Sequence, residues 1–293
     1  MTSDWTAVAV RARGLAGRRL GRVGAQNLAR TTSLAEALAL LAHTPYNHDV
    51  RPDMNLASAE HAVASTLLWH LRILAGWAPT AGMRRIRVLA AGFEIADITG
   101  HLADLEGRAS IAPYELGALK TAWTAVAQAA SETDVRGVLS TSAWGDPGCS
   151  DLATVSAALQ TAWARRILTG VPEATEWARI FAGVLLARMH VAHAPPVAGS
   201  VSDRNLHLVL GGGWDAAVAL ANRDSSELWR AEAAAWIAIE ASALRLQTAW
   251  LPGPAAIVAV AGLLAVDAWR TRAALEIASR GGKAPDEAFD VLA

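Results

Sequence analysis

Apolar residues return at helical spacing along most of the chain. Val63, Leu67, Leu71 and Leu74 fall on one helical face, with Trp69, Ile73 and Trp77 beside it. Ile180, Val184 and Leu185 repeat that spacing, as do Leu263, Val266 and Trp269. Strand-like alternation is scarce. Its one candidate, Asn205-Leu206-His207-Leu208-Val209-Leu210, runs into Gly211-Gly212-Gly213. The pattern predicts an all-α protein.

Proline and glycine break the helical runs at Gly76-Trp77-Ala78-Pro79, Gly170-Val171-Pro172 and Leu251-Pro252-Gly253-Pro254. A helix ends at or before the residue preceding proline, so each break predicts a helix–loop–helix joint. The joints also suggest an internal repeat. Arg72-Ile73-Leu74-Ala75-Gly76-Trp77-Ala78-Pro79 returns as Arg166-Ile167-Leu168-Thr169-Gly170-Val171-Pro172, and Trp69 corresponds to Trp163. A fainter third copy is Leu244-Arg245-Leu246 ahead of Pro252 and Pro254. Upstream lie Leu41-Ala42-His43-Thr44-Pro45-Tyr46 and Leu139-Ser140-Thr141-Ser142-Ala143-Trp144, each ending in an aromatic residue soon followed by Asp49 or Asp146. A spacing of roughly 80 to 95 residues predicts three helical lobes, at 1–105, 106–200 and 201–293.

Composition narrows the classes. With 293 residues, 53% of them hydrophobic, the chain can bury a large core and is not a disordered segment. Its mean hydropathy of +0.26 raises the question of a membrane span. The longest suitable stretch, Ala255–Val266, is free of charge for only 12 residues and is bounded by Pro252, Pro254 and Asp267. A span needs roughly 20, so no transmembrane segment is expected. The N-terminus lacks the pattern of a signal peptide. A net charge of −1 argues against nucleic acid as a partner. Cys149 is the single cysteine, which excludes an internal disulfide and a cysteine-rich metal site.

Four groups carry possible chemistry. Arg11, Arg13, Arg18, Arg19, Arg22 and Arg30 face only Asp4 in the first 30 residues, and read either as a solvated helix face or as a surface for an acidic partner. Glu94, Asp97, His101 and Asp104 step by three or four along a helix, as metal ligands or as capping and pairing residues. His190 and His193 suit a helix C-terminus better than a metal. Gly211–Gly213 lacks the rest of any phosphate-loop signature. Cys149 has no neighbouring base. No catalytic, metal or cofactor-binding residue is assigned, and no cofactor is expected.

Several segments resemble the C/d subunit family of V-type and A-type rotary ATPases. That family carries a helix followed by a Leu-x-x-Thr-x-Tyr element. Here Ser33–Leu38 leads to Leu41-Ala42-His43-Thr44-Pro45-Tyr46. Phe93-Glu94-Ile95-Ala96-Asp97-Ile98 and Leu102 are similar to a later acidic segment, with Asp97 where the family has asparagine. The last long helix opens at Gly253-Pro254, places Asp267 at the family's first glutamate, and closes at Arg280-Gly281-Gly282. Val266 and Trp269 depart from the lysine and second glutamate usual there.

The resemblance implies a non-catalytic subunit of three pseudo-symmetric helical lobes forming a funnel. Such a subunit is cytoplasmic and peripheral on the inner face of the cell membrane. It links the rotor-ring proteolipid subunits to the central-stalk subunits and couples ATP turnover to ion transport, expected to be of protons. The ends of the units are then the interface candidates: Tyr46 and His48, Trp144 and Asp146, Gly212 and Trp214, with Arg11, Arg18 and Arg22 facing an acidic rim. The alternatives are a soluble all-α enzyme or small-ligand binder with a site between lobes, starting from Glu94, Asp97 and His101, or a helical scaffold for another partner.

Overall fold

The computed structural model describes residues 3–193, 195–221, 225–248, 252–284, 289–290 and 292. It is 76% helical, with no strand among the described residues. The helices run α1 (Ser3–Ala16), α2 (Gly21–Ala29), α3 (Leu34–Leu41), α4 (Leu56–Trp77), α5 (Thr80–Leu89), α6 (Ala91–Leu105) and α7 (Trp123–Val126). They continue as α8 (Glu132–Ser140), α9 (Leu152–Gly170), α10 (Thr175–Val191), α11 (Val201–Leu210), α12 (Trp214–Ala221), α13 (Leu228–Thr248) and α14 (Pro254–Ser279). Short 3-10 turns lie between several of them.

The chain divides into two compact units, Met1–Pro79 with Ile239–Ala293, and Thr80–Ala238. The dividing points differ from residues 105 and 200, where the repeat spacing placed lobe boundaries.

The first unit is built on α14. Pro254 opens this helix, where its missing N–H removes no helical bond. The residues that follow are apolar on every side, and a helix of that kind must be surrounded. It is surrounded by α1, α2, α3 and α4. Leu38, Leu41, Val63 and Leu275 join in one core there. On α4, Val63, Leu71 and Leu74 are buried as the periodicity requires, while Trp77 at the helix end is 53% exposed. By length and composition alone, the 26 residues of α14 could cross a membrane, but 72% of its apolar window is buried. Asp267 and Arg270 on it are also buried and hydrogen-bonded.

The second unit packs α6 against α9, with α7 and α8 completing a core of Ile98, Leu102, Val126, Val135, Leu139 and Leu159. Helices α10, α11 and α12 pack beside α9 and one another. Gly92 lets α6 come close to α9, since a Cβ there would meet the Trp163 ring at 2.9 Å.

The joint at Pro79 separates α4 from α5, and Pro172 starts a 3-10 turn between α9 and α10. At the third joint α14 begins at Pro254, and Leu251 lies outside the described residues. The one strand-like segment, Asn205–Leu210, lies in helix α11, as the all-α expectation requires. Leu206, Val209 and Leu210 are buried on one helical face, and Leu208 is 55% exposed on the other. Ser200 caps this helix by accepting the Asp203 N–H at 3.1 Å.

Candidate functional site

Each unit buries a carboxylate that ties distant elements together. In the first unit it is Asp267, on the wall of α14 and 3% exposed. A carboxylate in such surroundings needs donors, and a helix N-terminus has unused ones. Helix α2 has no side-chain cap of its own. Asp267 supplies it from across the chain, accepting Leu20 N–H at 3.0 Å and Gly21 N–H at 2.7 Å. Gly21 has φ +71, a left-handed conformation that favours glycine. Asp267 Oδ2 also accepts the Tyr46 hydroxyl at 2.9 Å. Burial, and then the adjacent Asp267 charge, push the Tyr46 hydroxyl well above its ordinary pKa, so it stays a neutral donor.

One turn further along α14, the Arg270 guanidinium donates to both oxygens of Glu240 on α13, at 2.7 and 2.8 Å. Arg22 on α2 adds a third bond at 2.6 Å. Hydrogen bonding from Arg270 holds the Glu240 carboxyl down at about 2, with Arg22 acting in the same direction against burial.

In the second unit the buried acid is Glu94 on α6, fully enclosed. Its Oε1 accepts the N–H groups of Thr121, Ala122 and Trp123, at 2.7, 2.6 and 2.7 Å, where α7 begins. Its Oε2 accepts the Trp144 indole N–H at 3.2 Å. The Arg166 guanidinium lies over the Trp144 ring, 4.4 Å from its centroid. One turn beyond Glu94, Asp97 Oδ1 accepts the Tyr114 N–H at 2.8 Å, while Oδ2 is buried without a partner. Burial raises the Asp97 pKa to about 7, and the Glu94 charge pushes the same way.

The two clamps hold parts in the same chain order. Ser33 caps α3 and Ser131 caps α8, each accepting the N–H three residues on at 3.2 Å. The Thr44 hydroxyl accepts Tyr46 N–H at 3.3 Å, and the Ser142 hydroxyl accepts Trp144 N–H at 3.1 Å. Asn55 then caps α4 and Asp151 caps α9, both at 2.9 Å. An acid on a further helix receives a helix N-terminus and the aromatic residue in both cases.

The sequence-derived interface residues divide between core and surface. Tyr46 and Trp144 are buried and held by the acids. His48 is exposed, stacked on Trp69 at 4.0 Å and paired with Asp49. Asp146 is exposed and paired with Arg136, whose hydrogen bond lowers its pKa to about 2. Gly212 lies in an exposed 3-10 turn, and Trp214 stacks on His207 at 3.6 Å. Arg11 lies over Trp77, Arg18 is exposed, and Arg22 is engaged by Glu240.

The carboxylate and histidine steps on α6 do not converge. Glu94 serves α7, Asp97 serves Tyr114, His101 Nε2 lies 3.0 Å from the Ala129 carbonyl, and Asp104 is exposed. His190 bonds within its own helix, to the Leu186 carbonyl. No group of three His, Cys, Asp or Glu that could hold a metal occurs among the described residues. Cys149 is exposed. The Glu240–Arg270 pair was not singled out from sequence, because it joins two helices with no local signature. The chain matches no family model, and no curated protein matches it.

Proposed function

We propose that the chain is a non-catalytic adaptor in the central stalk of a V/A-type rotary ATPase, linking the membrane rotor ring to the shaft and so coupling ATP turnover to ion transport. The observation that carries this reading is where the resemblance segments meet. The Thr44-x-Tyr46 element is bonded to Asp267, the acid of the last-helix motif. Glu94, the acid of the middle motif, is bonded to the matching aromatic residue, Trp144. The polar marks that define the resemblance are thus employed in holding helices to one another. A body that transmits torque needs fixed internal joints more than it needs free reactive groups. Buried carboxylates saturated by backbone donors supply such joints.

The partners on this reading are ring proteolipids and central-stalk subunits, with the chain peripheral to the inner membrane face. The test is an affinity-tagged purification from gently solubilised source membranes, identified by mass spectrometry. Co-recovery of ring and nucleotide-binding subunits in fixed ratio is the expected result. Recovery of the chain alone, from the soluble fraction, would overturn the proposal.

A further inference from the structure

The second unit contains a cavity of about 240 Å³ between α9, α10 and α13 that no part of the adaptor reading uses. It opens to solvent past the exposed Arg188 side chain, and a mostly apolar recess of this size is room for a small guest. Trp163, Phe181 and Trp236 line it among mostly aliphatic side chains. Trp163 and Phe181 stack at 5.8 Å with planes 24° apart, and Phe181 meets Trp236 edge-on at 5.6 Å and 78°. These are the spacings at which aromatic rings attract one another, and a further flat ring can extend the stack. The Trp163 ring is fixed. Its N–H donates to the Val88 carbonyl at 2.7 Å, and Gly92 lies against its edge. A preformed wall of this kind lowers the ordering cost of binding.

The polar lining is confined to Gln160 and the Arg188–Glu232 pair, joined at 2.6 Å. Because the pair is internally neutral, it offers no net charge to an ionic ligand. Its bond uses Arg188 Nε and Glu232 Oε1, leaving the terminal guanidinium nitrogens and the second oxygen for a polar substituent. We propose that this cavity is a binding site for a neutral, flat aromatic molecule of one or two fused rings carrying one hydrogen-bonding group. The volume sets the size, the three rings set the shape, and the neutral pair sets the charge.

Indole is the probe, titrated into the purified full-length chain by calorimetry, with indole-3-acetate as its charged counterpart. Saturable one-to-one binding of indole below about 1 mM, with at least tenfold weaker binding of the acetate, is expected. Leu185→Phe and Ala235→Leu each place added side-chain volume at the cavity wall. Both should weaken indole at least tenfold while keeping the wild-type circular dichroism and a cooperative melt. If one variant fails to fold, the other carries the comparison. If both fail, the acetate comparison on the wild-type chain decides. Absence of saturable indole binding, equal binding of the two probes, or undiminished binding by a folded variant would each overturn the assignment. None of these outcomes depends on whether the chain joins a rotary ATPase.

Discussion

Asp97→Asn should become progressively more favourable to stability, relative to the wild-type protein, between acid and mildly alkaline solution. Burial lifts the Asp97 carboxyl from its ordinary 3.8 to about 7. In the folded protein it therefore keeps its proton up to about pH 7, whereas in the unfolded chain it loses the proton near pH 4. Between these values the folded state binds more protons, so stability is fully present below the unfolded pKa and falls as pH rises toward the folded one. About three pH units at roughly 1.4 kcal/mol each give a swing of about 4 kcal/mol, a large part of a typical folding free energy. Asparagine keeps an oxygen for the Tyr114 N–H and carries no charge. It also places an amide where Oδ2 has no partner, a burden the protonated carboxyl carries as well, so any offset it adds does not change with pH. Over the two pH units from 5 to 7 the variant should accordingly gain about 3 kcal/mol relative to the wild-type protein, and at pH 8 it should be the more stable of the two. Urea denaturation of both proteins at pH 5, 6.5 and 8, at constant ionic strength, measures the difference. Shared titrations cancel in it, including those of His61 and His70, whose pKa values burial lowers. A stability difference that stays constant across the three pH values would show that Asp97 is already ionised at pH 5, and the reasoning would fail.

Glu94→Ala should cost more than about 4 kcal/mol, because three backbone N–H groups and an indole lose their acceptor inside the core. Glu94→Gln should cost less, since one oxygen remains, and urea melts of the pair test the order. Gly92→Ala should destabilise by about 1–3 kcal/mol through the contact with Trp163, and should change the near-ultraviolet circular dichroism of that ring. The Glu240 contribution is present above the unfolded value of 4.5 and is lost as pH falls toward about 2. Glu240→Gln should remove that acid sensitivity and, by leaving Arg270 buried without its charge partner, should cost about 3–5 kcal/mol at pH 7. An acid titration of the circular dichroism signal of both proteins checks it.

Helical periodicity made the elements legible wherever one face is buried, as on α4 with Val63, Leu71 and Leu74. It was least distinct at Asn205–Leu210, where alternating leucines imitate a strand. The Ser200-x-x-Asp203 start of α11 was the signal that could have decided it, since a serine cap three residues before an acid marks a helix N-terminus. Tyr46 and Trp144 were visible as a repeated aromatic position, and Glu94 and Asp97 as acids on one helix. Their partners were not visible. Asp267 bonds to Gly21, 246 positions away, and no local pattern encodes a contact of that range. The arginine-rich start was legible as charge, but the engagement of Arg22 by Glu240 depends on how α2 and α13 pack. The aromatic cavity was illegible for the same reason, since a void exists only once three helices have been placed.

The way the helices are capped explains why such acids lie in the core at all. Ser33 and Ser131 each cap the helix they begin, which stabilises that helix without saying where it lies. Asp267 and Glu94 do the capping from another helix, so the bonds that satisfy the N–H groups also fix the position of α2 or α7 against α14 or α6. Burying a carboxylate is unfavourable, and it is offset here because each acid receives three or four donors at short distance. The same bonds orient an aromatic residue, Tyr46 or Trp144, from a third element. One buried charge thereby joins three pieces of chain at a point where apolar packing alone would allow sliding, since alanine-rich helices present few distinctive ridges to one another. The residue one turn beyond each acid then separates the two clamps. Arg270 is held by both oxygens of Glu240, with only its Nε lacking a partner, and extends the joint, whereas Asp97 has a single donor and no charge partner. As pH rises, the second unit should therefore loosen first around Asp97 and Tyr114.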